Sequence, residues 1–259
     1  TLAMLVERAG QISNFQKEKY FNVELDCDGI PAVKPKIFDP DEAEQLRSRC
    51  QGSEAIVTAV KETEKKVKAP KLYDLTTLQR EANRIYGMTD KQTLDTAQSL
   101  YEKKLIPYPR TDSQYLPEDM EQTARNVVRQ IYEKYQLTGP FDQPEQPDVK
   151  KVMNNSKVTD HHAIIPTMEL ASCHLDELKS WEEKILFLIA VHTVMAMSKD
   201  HIYQETEIEV ECQEEIFKAK GKIVLQDGWK LFENCFKNKD RMAIVDPDQE
   251  MKERMPDLT

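Results

Sequence analysis

"DLTTLQREANRIYG", residues 74–87, is where the hydrophobic period of the chain changes. Leu75, Leu78, Ala82 and Ile85 recur at helical spacing, and Gly87 stands where a helix takes a left-handed terminal residue. Thr89 followed by Gln92 reads as a capping box opening a second helix, with Leu94, Ala97, Leu100 and Tyr101 on its apolar face. "PEDMEQTARNVVRQIYEKY", 117–135, reads as a further helix with Pro at its start. A Pro-rich polar loop is expected over 139–148, and Trp181 to Met197 is apolar enough for a central buried helix.

On either side of this helical block the period is two. In "KYFNVELDC", 19–27, Phe21, Val23 and Leu25 alternate with Asn22, Glu24 and Asp26, the pattern of a half-buried strand. "DPDEAEQLRSRC", 39–50, opens a short helix with Pro and acids in its first turn, where the macrodipole favours them. "EAIVTAVKETEKKV", 54–67, reads as a second strand that fades into a basic connector. Beyond His201 alternation returns through Ile208, Val210 and Cys212, then Phe217, Ala219 and Gly221. Residues 1–13 read as a helix with Leu2, Leu5, Val6 and Ala9 in one stripe. The expected fold is α+β: an antiparallel β-rich domain over 17–70 and 202–259, interrupted by a mostly helical, winged-helix-like domain over 71–201. The crossovers near 70 and 203 are then hinge candidates.

Composition narrows the function classes. The chain has 259 residues, 39% hydrophobic and 32% charged, with only 7 Gly, which suits a well-patterned globular protein. The longest apolar run, Ile185 to Val191, is far short of a membrane helix, so no membrane partner is expected. Thr1-Leu2-Ala3-Met4 carries no basic leader and no initiating Met, as expected for a piece of a longer protein. Five scattered cysteines, never spaced CxxC, argue against a zinc site or disulfide framework and suit a reducing cytoplasm. The net charge is −10, yet from Lys65 to Arg110 ten Lys/Arg face five Asp/Glu, a local excess of +5. Such a segment can be a solvated helical surface or one wall of a phosphate groove.

Two clusters carry chemistry. In "LIPYPRTDSQYL", 105–116, Pro107 and Pro109 keep Tyr108 out of a helix and at low entropy. A phenol is a poor nucleophile while protonated, but Arg110, two residues on, can fork onto phosphate oxygens and serve a phosphoryl transition state. The alternative is a tyrosine that simply packs the helical block, which is how Tyr101 reads; Tyr115 is ambiguous. In "TDHHAIIPT", 159–167, the adjacent His161 and His162 project apart and are not a bidentate metal pair, as a metal-dependent HUH relaxase would need. One of them near a phosphate could donate to a nonbridging oxygen; otherwise Thr159 and Asp160 cap a loop over buried Ile164 and Ile165. With no GxxxxGK and little glycine, nothing cradles ATP.

"YPRTDS" at 108–113, "DHHAIIPT" at 160–167 and "LTTLQREANRIYGM" at 75–88 together resemble the type IA DNA topoisomerases, in particular the topoisomerase III branch. That resemblance implies that Tyr108 attacks a single-stranded DNA phosphodiester, giving a 5′-phosphotyrosine and a free 3′-hydroxyl, with rejoining that needs no ATP. It implies that Arg110 stabilises the scissile phosphate, that His161 contacts the phosphate beside it, and that Thr111, Asp112 and Ser113 support the site on the DNA. Thr77, Gln79 and Arg80 fall at positions resembling single-stranded DNA contacts. It further implies a toprim domain upstream that supplies an acidic Mg2+ site, so that the cofactor lies outside this chain and no metal ligand lies within it. Residues 1–16 would be the end of the connecting domain, and the remaining domains of the same enzyme would be partners. The chain alone would be inactive, with a cytoplasmic, nucleoid-associated setting. A single-stranded DNA-binding or partner-binding module without catalysis stays open beside this, and so does a tyrosine recombinase, distinguished by a 3′-phosphotyrosine.

Overall fold

The computed structural model describes residues 2–137 and 147–236. Most of the Pro-rich loop expected over 139–148 lies outside the described residues. The fold is mixed α+β with an antiparallel five-stranded sheet. The chain divides into two compact units: residues 1–65 with 203–224, and residues 66–202 with 225–259.

The first unit starts with helix α1 (Leu2–Ser13), whose residues are all exposed or half-buried. Strands β1 (Phe21–Cys27) and β2 (Ile30–Ile37) form an antiparallel hairpin in which Cys27 pairs with Ile30. Its two-residue turn has both φ values positive, 53° at Asp28 and 87° at Gly29, the geometry that matches strand twist and that Asp-Gly supplies. The Asp26 carboxylate accepts from Gly29 N–H at 2.7 Å and closes the turn. Helix α2 (Pro40–Cys50) is capped by Asp39, whose side chain accepts from Asp41 N–H. Its buried stripe of Ala43, Leu46 and Cys50 joins Val23, Ala32, Ile37, Val210, Cys212, Phe217 and Ala219 in one apolar core. Strands β3 (Ile56–Val67), β4 (His201–Cys212) and β5 (Glu215–Gln226) complete the sheet, in the order β1-β2-β5-β4-β3.

Strand β2 is absent from the alternation read above, because Pro31 and Pro35 suggest loop. Pro31 sits opposite Asp26, and the register slips between Phe21 and Val23. Pro35 and Lys36 both face Asn22 across that slip. Lys36 takes φ 62°, and its N–H donates to the Asn22 side chain at 3.1 Å. This β-bulge absorbs the proline that a regular central strand would reject.

The second unit is helical: α3 (Leu75–Tyr86), α4 (Asp90–Glu102), α5 (Glu121–Tyr135) and α6 (Ser180–Ala196), joined by loops and short 3-10 turns. Helix α6 is apolar on every side, and Ile185, Leu186, Leu188, Ile189, Val191 and Val194 lie fully inside. The 3-10 segment Gly228–Phe236 packs Trp229, Leu231 and Phe232 onto this same core. Residues 225–236 therefore cluster with the helical unit, whereas alternation along β5 places them with the sheet. Gly228 permits the turn: at φ 54°, a Cβ there would lie 2.3 Å from Asp200 O. Among the described residues, no helix is long and apolar enough to cross a membrane.

Candidate active site

The site begins where α4 ends. Leu105 N–H donates to Leu100 O at 2.9 Å and Lys104 N–H to Tyr101 O at 2.8 Å, with Lys104 at φ 61°. This is a Schellman ending, with a lysine where glycine is commonest. Thr167 holds the exit: its N–H donates to Leu105 O at 2.9 Å and its hydroxyl to Lys104 O at 2.5 Å. The chain then runs without helix through Pro107, Tyr108 and Pro109. Both prolines exclude helical continuation, so the Tyr108 ring stands half-buried at the surface.

Tyr108 and His161 come together. Their ring centroids are 4.8 Å apart at a 52° tilt. The Tyr101 ring meets the Tyr108 ring edge-on at 5.5 Å. Tyr101 is 39% exposed, so it is a wall of the site rather than a core residue: Thr93, Ala97 and Leu100 fill the buried face of α4.

Thr111 ties the two motifs. Its hydroxyl donates to His161 O at 3.0 Å and accepts from Ser113 N–H at 3.1 Å, while Leu75 N–H donates to Thr111 O at 3.1 Å. The Ser113 hydroxyl donates to Lys157 O at 2.8 Å. Both side chains are buried, so within this chain they position the loops rather than face a ligand. The 160–167 segment is held from the other side as well, with Ala163 N–H on Tyr115 O and Ile164 N–H on Tyr73 O. His162 turns its Nδ1 to Ala163 O at 2.8 Å, leaving His161 as the ring beside Tyr108.

Arg110 and Asp112 are exposed, and neither has an oppositely charged group at ion-pair distance among the described residues. Of the other sequence candidates, Thr77 is engaged locally: with Asp74 it forms the capping box of α3, its N–H on Asp74 Oδ1 at 2.7 Å. Gln79 Nε2 donates to Asp90 O at 2.9 Å and joins α3 to the start of α4. Arg80 is exposed. In the basic segment, Lys65, Lys66, Arg84 and Lys103 are paired with Glu205, Asp200, Glu81 and Glu182. Lys68, Lys71, Arg80, Lys91, Lys104 and Arg110 have no such partner among the described residues.

Tyr115, ambiguous in the sequence, lies beside two cations. Lys157 Nζ is 4.8 Å and Lys71 Nζ 5.6 Å from its ring centroid, and Lys157 Nζ lies 3.5 Å from its hydroxyl. Partial burial alone would raise this phenol, but the Lys157 hydrogen bond and the two lysine charges outweigh it and hold the phenol below its ordinary value. Only the basic residues at 71 and 157 could have signalled this, and they are 86 positions apart in the chain.

Among the described residues, no three His, Cys, Asp or Glu converge to hold a metal ion. These residues do not fit a Mg2+ site, and no step is routed through one.

A protruding tyrosine ringed by histidine, arginine and unpaired lysines is the equipment of a phosphoryl-transfer protein. The family model described as DNA topoisomerase matches residues 1–256, and the chain belongs to that family, in its type IA division. It is similar to DNA topoisomerase 3 of Bacillus subtilis, 36% identical over 240 residues that cover 89% of this chain and 33% of the relative. DNA topoisomerase 3 of Staphylococcus saprophyticus is 31% identical over 247 residues, covering 90% of this chain and 34% of the relative. Among solved structures, full-length topoisomerase I from Thermotoga maritima aligns with a TM-score of 0.65 at 26% identity, covering 90% of this chain and 39% of that one. The chain spans about a third of the length of the curated relatives it matches.

Proposed function

We propose that this chain is the tyrosine-bearing part of a type IA topoisomerase that cuts and rejoins single-stranded DNA. The observation that carries the reading is the Tyr108–His161 pair at 4.8 Å, with Arg110 exposed two residues along the same loop. In the cleavage step the Tyr108 phenolic oxygen bonds to phosphorus as the bond from phosphorus to the 3′ oxygen breaks. The phenol proton leaves, and the departing 3′ oxygen ends as a hydroxyl. Arg110 offers a forked donor to the phosphate as charge redistributes, and His161 offers a ring N–H to a nonbridging oxygen. Attack by the retained 3′-hydroxyl on the phosphotyrosine reverses each bond, so the exchange is near isoenergetic and needs no ATP. The supporting electrostatics are the unpaired Lys68, Lys71, Lys91 and Lys104 around this loop, which suit a polyanionic strand. Mg2+, the toprim domain and the remaining domains belong to the whole protein in this reading.

The test is made in the longer protein that carries this segment. Tyr108→Phe removes the nucleophile and keeps the ring packing, so the covalent protein–DNA adduct trapped by detergent should disappear. An undiminished adduct would exclude Tyr108. An intact protein that binds single strands but forms no adduct at all would instead make the chain a binding module.

A further inference from the structure

Lys71, Tyr115 and Lys157 form a second cluster of the helical unit, apart from the Tyr108 ring. Two ammonium groups lie at 5.6 and 4.8 Å from one phenol ring, which places them no farther than about 10 Å from each other. Neither has a carboxylate at ion-pair distance among the described residues. Like charges gathered at a surface raise each other's energy, and an anion between them relieves it.

The backbones of both lysines are fixed while their side chains stay in solvent. Lys71 O accepts from His192 Nε2 at 2.7 Å, and His192 stacks on Tyr73 with ring centroids 3.7 Å apart. Burial holds the His192 imidazole down to about 4, so at neutral pH it is uncharged and its Nε2 keeps the proton it donates. Lys157 O accepts from the Ser113 hydroxyl at 2.8 Å, and the same Ser113 oxygen accepts from Tyr115 N–H at 3.2 Å. Ser113 thus links this cluster to the loop that carries Tyr108 and Arg110. Prefixed backbones lower the ordering cost of binding.

We infer that Lys71, Tyr115 and Lys157 hold a backbone phosphate of single-stranded DNA other than the one under attack, fixing the register of the strand across Tyr108. The inference rests on the DNA reading above. The two ammoniums supply charge and the Tyr115 hydroxyl a directed donor. The lowered phenol reflects the same positive field that the phosphate would meet.

The experiment measures binding of a short labelled oligothymidylate to this chain across a salt series. The Lys71→Ala/Lys157→Ala variant should bind more weakly, with a plot of log affinity against log salt shallower by about 1.4, at roughly 0.7 per lost phosphate contact on single strands. Lys157→Arg should keep the wild-type slope. Tyr115→Phe should weaken binding by about threefold to tenfold with no change of slope, the loss of one uncharged hydrogen bond. Both lysines are exposed, so these variants keep the fold. Wild-type binding with an unchanged slope in the double variant overturns the clamp alone. No binding by the wild-type chain at low salt overturns the clamp together with the DNA reading beneath it.

Discussion

Thr111 shows how a polar residue in a catalytic signature can act entirely inside the protein. Its hydroxyl bridges His161 O and Ser113 N–H, so a valine of nearly the same shape would leave a buried donor unpaired and untie the histidine loop. Thr111→Val should lower unfolding free energy by about 1–3 kcal/mol in urea titration. It should also slow adduct formation in the longer protein, because His161 loses its tether to the Tyr108 loop. Glu182 is a second buried polar group. Burial alone would raise its carboxyl, but Lys103 at 2.6 Å, the Ser99 hydroxyl and the Lys179 N–H bring it below the ordinary range. A depressed folded-state value means that the stabilisation is complete above the unfolded value. It is lost as pH falls from the ordinary glutamate range through the folded one. Glu182→Gln should cost about 2 kcal/mol at neutral pH, less than a fully enclosed pair because Lys103 reaches solvent. The variant should also flatten the acid limb of a stability–pH profile. The sequence alone suffices for Tyr108, Arg110 and His161, because proline placement and motif spacing are local facts. It does not suffice for Tyr101 or for the Lys71–Tyr115–Lys157 cluster, whose meaning depends on segments far apart in the chain.

At the scale of elements, the legible parts are those whose ends are written in side chains. Thr89 and Gln92 do form a reciprocal cap, and Gly87 does take φ 69° at the end of α3. Asp74 forms an equivalent cap with Thr77. Strand β2 is illegible because its prolines sit at a pairing end and in a bulge, and both depend on a partner strand. The β4–β5 turn carries a cost instead of a signal. Gln213 and Glu214 adopt φ 51° and 63°, the same left-handed pair that Asp28 and Gly29 adopt in the first hairpin. A residue with a Cβ loses about 1 kcal/mol in this conformation. Glu214→Gly should therefore raise the stability of the sheet unit by roughly that amount in a thermal melt, and a lower melting temperature would contradict the turn geometry.

At the scale of the whole molecule, the chain passes between its units after Lys65, Ile202 and Val224. The third passage is hidden in the sequence, since the pattern of β5 gives no hint that Trp229 and Phe232 pack with helices. On the helical side Asp200 collects these passages: its carboxylate accepts from Ala69 N–H and pairs with Lys66 and Lys151, and its carbonyl accepts from Gln226. This construction holds a nucleophile and anion-binding groups but no metal-binding cluster among the described residues. The chain by itself should therefore leave negatively supercoiled DNA unrelaxed on agarose gels. The central claim is that Tyr108 is the residue that joins DNA. Its most direct test is peptide mapping of the adduct that the longer protein forms with a single-stranded oligonucleotide labelled at one end or the other. The account predicts a phosphonucleotide on the tryptic peptide containing Tyr108, with the 3′-end label retained on protein and the 5′-end label released on a fragment ending in a hydroxyl. Attachment at any other residue, or through a 3′ phosphate, would contradict it.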